Sequence, residues 1–186
     1  MVVLYGGRAS PSDAYGRQDT WTFNGAWQEL SPVKSPGPLY QHGMAYDAVR
    51  QRTVLHGGYG DPTTANVWEW YGGNWDEVQP ATSASKVYFP ALATAPDGGV
   101  LEFGGFYMSA FGTTWLWGGN PPNWMKAATS TDKCDAISPS QPCPRVGAPL
   151  TYDAARNVAV LFGGDDPGGW LSDTWEWDGQ SWAQRA

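Results

Sequence analysis

The residues of this chain best able to do chemistry are two histidines, two cysteines and a few loop carboxylates. Cys134 and Cys143 lie in one Pro/Ser-rich loop, far in sequence from His42 and His56. Two cysteines alone are too few for a structural zinc site. A local disulfide stapling the loop is the favoured reading, against two free thiols. So small a ring would contribute about 2–3 kcal/mol at most, and forming it needs an oxidising compartment. Asp165 and Asp166, with Asp61 elsewhere, are oxygen donors of the kind calcium prefers. No calcium-loop spacing accompanies them, so solvated loop carboxylates are the simpler reading. His56 occupies a place taken elsewhere in the chain by Tyr5, Phe103 and Phe162, which marks it as a core residue. His42 falls nearer the loops. No Ser-His-Asp grouping with local context is present, so no catalytic residue, metal or cofactor is assigned.

The elements that would position these residues follow from a repeat. Four times an apolar run ends in a diglycine, at Gly6-Gly7, Gly57-Gly58, Gly104-Gly105 and Gly163-Gly164. Each is followed by a variable loop and an aromatic-x-aromatic segment: Trp21 and Phe23, Trp68 and Trp70, Trp115 and Trp117, Trp175 and Trp177. One more tryptophan closes each copy, at Trp27, Trp75, Trp124 and Trp182. The diglycines are 51, 47 and 59 residues apart. A period near fifty built from strand-like units denotes a repeat architecture. Eleven of the 12 tryptophans belong to the motif, and Trp170 is the exception.

Short apolar runs punctuated by Gly and Pro, without sustained helical periodicity, specify an all-β fold. The second copy reads as strands over 39–46, 53–56, 67–70 and 75–78. The third opens with a strand over 88–94. The fourth reads as 146–152, 158–162, 174–177 and 181–184. The first copy lacks its first strand, so it supplies three and the others four each. Alternation places both aromatics of each aromatic-x-aromatic segment on one face of a sheet. Such a face needs a neighbouring sheet to cover it. The diglycine supplies positive φ, and is expected to let a bulky aromatic pack over bare backbone. Asn24-Gly25, Gly72-Gly73, Gly118-Gly119 and Asp178-Gly179 are hairpin-turn pairs.

In this up-down order, the loops after the second strands and those leading into the next unit share one side. They are long and differ between copies, and variable loops on a rigid scaffold are where binding residues sit. The candidate contacts there are Tyr15, Arg17, His42, Tyr59, Asp61, Tyr107, Phe111, Asp165, Asp166 and Trp170.

The diglycine, the aromatic strand and the closing Trp, in four copies over nearly the whole chain, resemble the kelch-repeat β-propeller family. The resemblance implies four-stranded blades around an axis, at approximately 1–38, 39–87, 88–144 and 145–186. With the innermost strand of the first blade missing, a partial propeller is expected rather than a closed four-bladed ring. An open end exposes a sheet face and a strand edge, which invites self-association. The family mostly binds other proteins. The function expected is therefore a non-catalytic binding module for a protein or glycan partner, with a structural segment of a larger assembly as the alternative. Galactose-oxidase-like relatives need two His and two Tyr, one joined to a Cys, at copper; no residue set here matches that pattern.

Charge narrows the partners. The net charge is −7, and the 11 Lys and Arg never cluster, which argues against nucleic acid. No apolar run approaches the ~20 residues of a membrane-spanning helix. The first residues carry neither a basic n-region nor a cleavage site.

Overall fold

The computed structural model describes residues 1–12, 15–60, 66–130, 134 and 140–185. Among them there is no helix, so none could cross a membrane. The chain folds as successive antiparallel sheets. Sheet one pairs Val2–Gly7, Arg17–Phe23 and Trp27–Leu30. Sheet two runs Gly43–Asp47, Arg52–His56, Val67–Tyr71, Asn74–Val78. Sheet three is Ala91–Thr94, Val100–Phe103, Thr113–Gly118, Asn123–Thr129. Sheet four is Leu150–Asp153, Val158–Phe162, Thr174–Trp177, Trp182–Arg185. In each four-stranded sheet the strands lie side by side in chain order. The aromatic strand pairs in register with the strand before it, as in Leu55 opposite Trp68 and Leu161 opposite Trp175.

The first strands are shorter than the sequence implies. The stretch read as one strand over 39–46 is Leu39–Tyr40 and Gly43–Asp47, broken at Gln41 with φ 61°. The same bend recurs at Phe89 (φ 51°) and Gly147 (φ 63°), so the strands expected from 88 and 146 begin at Ala91 and Leu150. Each bend sends the lead-in segment back to pair with the chain just past a diglycine. Leu39–Tyr40 pairs Tyr59–Gly60, Tyr88 bridges Phe106, and Val146 bridges Asp165. Backbone hydrogen bonds gained there compensate for the conformation that non-glycine residues adopt at positive φ.

The diglycine has a different job from the one its small size suggests. The first glycine of each pair has positive φ, from 56° to 71°. What lies against it is backbone, not an aromatic ring. A Cβ on Gly6, Gly57 or Gly104 would stand 2.6 Å from the carbonyl oxygen of Leu39, Val87 or Arg145, each in the lead-in to the next sheet. The second glycine then donates its N–H across the junction, Gly58 to Val87 O at 2.8 Å and Gly105 to Arg145 O at 2.9 Å. Only residues without a side chain allow two backbones so close.

Between sheets, the aromatic face of one packs on the mixed face of the one before. Trp75 stacks on Tyr5, Trp124 on His56 and Trp182 on Phe103, with ring centroids 5.1, 5.1 and 5.4 Å apart. Trp75 Nε1 donates to Thr20 Oγ1 at 3.1 Å, and Trp182 Nε1 to Thr114 Oγ1 at 2.9 Å. At the intervening junction the equivalent of Thr20 and Thr114 is Val67, fully buried beside Trp124. Trp124 Nε1 is accordingly buried with no partner among the described residues. Trp117 donates to Glu69 Oε1 of the preceding sheet at 3.1 Å. Trp177 shares its core cluster with Leu116, which stands where sheet two has Glu69, and its Nε1 too has no partner among the described residues. An unsatisfied buried donor costs about 1–3 kcal/mol. Val67→Thr should therefore stabilise the fold by about 1 kcal/mol in urea unfolding. In a Trp124→Phe background the same change should destabilise it, because the new hydroxyl would have no donor to accept from.

Candidate functional site

The bends that shorten the first strands also build a surface. They bring lead-in and post-diglycine segments together on the loop side, and tyrosines recur in both. Tyr40 lies opposite Tyr59, ring centroids 5.3 Å apart. Tyr59 meets Tyr88 at 5.5 Å, and Tyr88 meets Tyr107 at 5.9 Å. The four rings form one continuous row across the junction of sheets two and three, mutually tilted by 48–63°. Tyr59 and Tyr107 are exposed, and Tyr40 and Tyr88 are partly so. Arg8 stands 5.0 Å over Tyr40 at one end, and Lys86 stands 5.3 Å over Tyr107 at the other. Cations over ring faces are attracted by the ring quadrupole. They also concentrate positive charge on a chain whose net charge is −7.

Beside this row, Asp165–Asp166 and Gly169–Trp170 form a small hairpin. With Ser109, Ala110, Cys134 and Pro144 it borders a cleft of about 600 Å³. Trp170 is 88% exposed at its rim. Asp166 Oδ1 accepts the Gly168 N–H at 2.8 Å, so that carboxylate shapes the turn. Asp165 serves through its backbone, paired with Val146. Cys134 and Cys143 form the disulfide, with Cα atoms 5.1 Å apart, compatible with an oxidising compartment. Among the described residues no three His, Cys, Asp or Glu side chains cluster as metal ligands would.

The remaining sequence candidates separate. Tyr15 and Arg17 are exposed near the first loop, outside the tyrosine row. Phe111 departs from the expected exposed contact. It is half-buried, and its backbone is tied to Gly105 and Arg145, because this loop is pinned across the junction of sheets three and four. Asp61 lies outside the described residues. His42 sits between sheets, its ring 6.0 Å from that of Tyr5. Burial pushes its pKa down to about 4, against a hydrogen bond to the Tyr5 backbone, so it is neutral at ordinary pH. Tyr5, buried beneath, donates its hydroxyl to Gly37 O at 2.6 Å, and burial raises its pKa to about 12. His56 is wholly buried, and its Nδ1 donates to Glu102 Oε2 at 2.5 Å across sheets two and three.

Sequence reasoning found Tyr59 and Tyr107 but missed Tyr40, Tyr88, Arg8 and Lys86. A signal was available. Tyr40 and Tyr88 hold the same place before successive first strands, and Tyr59 and Tyr107 both follow a diglycine by one or two residues. No family model matches this chain, and no curated protein matches it.

Proposed function

We propose that this chain is a kelch-type β-propeller segment, and that it acts as a non-catalytic binding module. Its loop side takes a protein or glycan partner. The observation that carries the reading is the row Tyr40, Tyr59, Tyr88 and Tyr107 with a cation over each end. Aromatic side chains offer large contact area and hydroxyl hydrogen bonds at small entropic cost, and they dominate binding hot spots. Four in a line, half-exposed and held by paired backbone, suit a ligand laid lengthwise. The blade reading is supported by four diglycine units, by sheets stacked in chain order, and by first strands that pack beside each other.

Oligosaccharide and peptide arrays test this with the full chain and with a Tyr59→Ala/Tyr107→Ala variant. The reading expects saturable binding to one array, lost in the variant while its melting curve is kept. Absence of binding to both arrays, or binding that survives in the variant, overturns it.

A second reading, a structural segment within a larger assembly, is favoured by a separate observation. Among the described residues Val2–Gly7 pairs on one side, with Arg17–Phe23, whereas its counterparts Arg52–His56, Val100–Phe103 and Val158–Phe162 each have a neighbour on both.

A further inference from the structure

Each internal junction joins two fixed half-sites. The leading half is the closing tryptophan of one sheet with the second aromatic of its aromatic strand. These pairs are Trp70 with Trp75, Trp117 with Trp124, and Trp177 with Trp182, centroids 5.1–5.4 Å apart. The trailing half belongs to the sheet before. It is the last residue ahead of the diglycine (Tyr5, His56, Phe103) and the residue just before the first tryptophan of the aromatic strand (Thr20, Val67, Thr114). At the three junctions the closing tryptophans are 0%, 1% and 6% exposed, and the residues they stack on are 0–3% exposed.

One half of each kind is left over. Sheet one carries a leading half, Phe23 with Trp27, centroids 5.3 Å apart, with Trp27 52% exposed. Sheet four carries a trailing half, Phe162, 51% exposed, beside a partly exposed Thr174. The match extends to charge. At the second junction Arg50, bound to Asp47 and Glu69, stands 5.6 Å over the Trp117 ring. Arg156, bound to Asp153 and Glu176, holds the equivalent place in sheet four with its side chain 55% exposed.

We infer that a second copy of this chain docks head to tail on these faces. Trp27 of one copy stacks on Phe162 of the next and donates Nε1 to Thr174 Oγ1, while Phe23 lies under Arg156. The argument for this occupant is continuity. Three internal junctions define what the Phe162 face accepts, and Phe23 with Trp27 is a surface of that description. The contact is heterologous, so it yields a closed ring or an open string of copies. It deepens the assembly reading and rests on it, and it leaves the tyrosine row untouched.

Light scattering and sedimentation of the full chain over a wide concentration range test it, with Trp27→Ala and Phe162→Ala. Both residues lie on the surface, so at dilutions where the wild type is monomeric each variant should keep its melting curve. The wild-type mass should rise with concentration. Each variant should associate at least ~tenfold more weakly, the scale of losing one central aromatic anchor. Mixing the two variants is the decisive arm. The Trp27→Ala copy keeps an intact Phe162 face and the Phe162→Ala copy an intact Trp27, so a one-to-one pair should form and grow no further. A wild-type chain monomeric throughout overturns the inference and assigns the faces to further repeats of the same kind. Association that persists in both variants overturns the matched contact while leaving the assembly reading standing.

Discussion

Arg145→Ala should destabilise the protein by about 2 kcal/mol, the scale of hydrogen bonds to a charged group, because the Asp173 carboxylate it strands is only partly buried. Arg145 is 1% exposed although it stands in a loop. Its Nη1 and Nη2 donate to the two carboxylate oxygens of Asp173 at 2.5 and 2.8 Å. Nη1 also reaches Gly163 O at 2.9 Å, and Nε reaches Cys143 O at 3.2 Å. The guanidinium thus ties the disulfide loop to the diglycine of sheet four and to the entrance of its aromatic strand. Burial raises the Asp173 pKa, but hydrogen bonds from Arg145 and Trp175 outweigh it, and the net result lies below the ordinary carboxylate value. A carboxyl depressed in the folded state contributes stability at neutral pH that is lost as pH falls through its folded value. The variant should therefore also lose part of the wild-type acid sensitivity. Arg145→Lys cannot reproduce the two-pronged contact and should recover little. Asp173→Asn added to Arg145→Ala should recover part of the loss, because no charge is then left unpaired. Urea unfolding with the disulfide intact reads all three. A loss under 1 kcal/mol for Arg145→Ala would mean that water replaces the guanidinium without penalty.

What was legible in the sequence is what the repeat itself dictates. Strand ends at Val158–Phe162 and Thr174–Trp177 follow directly from the apolar run, the diglycine and the aromatic pair. The cysteine pairing followed from their closeness in one loop. The bends at Gln41 and Phe89 were not legible, because neither residue type announces positive φ. Tertiary pairing of the lead-in segments imposes it. The same cause hid half of the tyrosine row, since Tyr40 and Tyr88 become neighbours of Tyr59 and Tyr107 only once those segments turn back. His56 was read correctly as core, but its partner Glu102 stands one sheet away, and nothing local marks a glutamate in an apolar run as the acceptor. Trp124 and Trp177 show the converse. Each fits the repeat, yet at the matching position of the preceding unit each meets a side chain without an acceptor, Val67 or Leu116.

The diglycine yields the sharpest test of how the sheets are joined. Gly57→Ala and Gly72→Ala both place a side chain at positive φ, 71° and 62°. The conformational cost is about 1–2 kcal/mol in either case. They differ in what the new methyl meets. At Gly72 nothing lies within 4 Å. At Gly57 the methyl would stand 2.6 Å from Val87 O and 2.9 Å from Val87 Cγ1. The carbonyl cannot move aside alone, because the Gly58 N–H is bonded to it at 2.8 Å. Relief requires sheets two and three to separate, and that would uncover the Trp124 and His56 stack between them. Gly57→Ala should therefore cost at least about 4 kcal/mol, where single substitutions become diagnostic of a specific clash. Gly72→Ala should lose only its conformational share. Gly104→Ala should behave as Gly57→Ala does, since its methyl meets Arg145 O at the same 2.6 Å. Equal losses for Gly57→Ala and Gly72→Ala would show that the diglycine is kept for its backbone angle alone. Unequal losses would make the carbonyl approach the reason glycine recurs there, and the close backbone contact the device that fixes each sheet on the next.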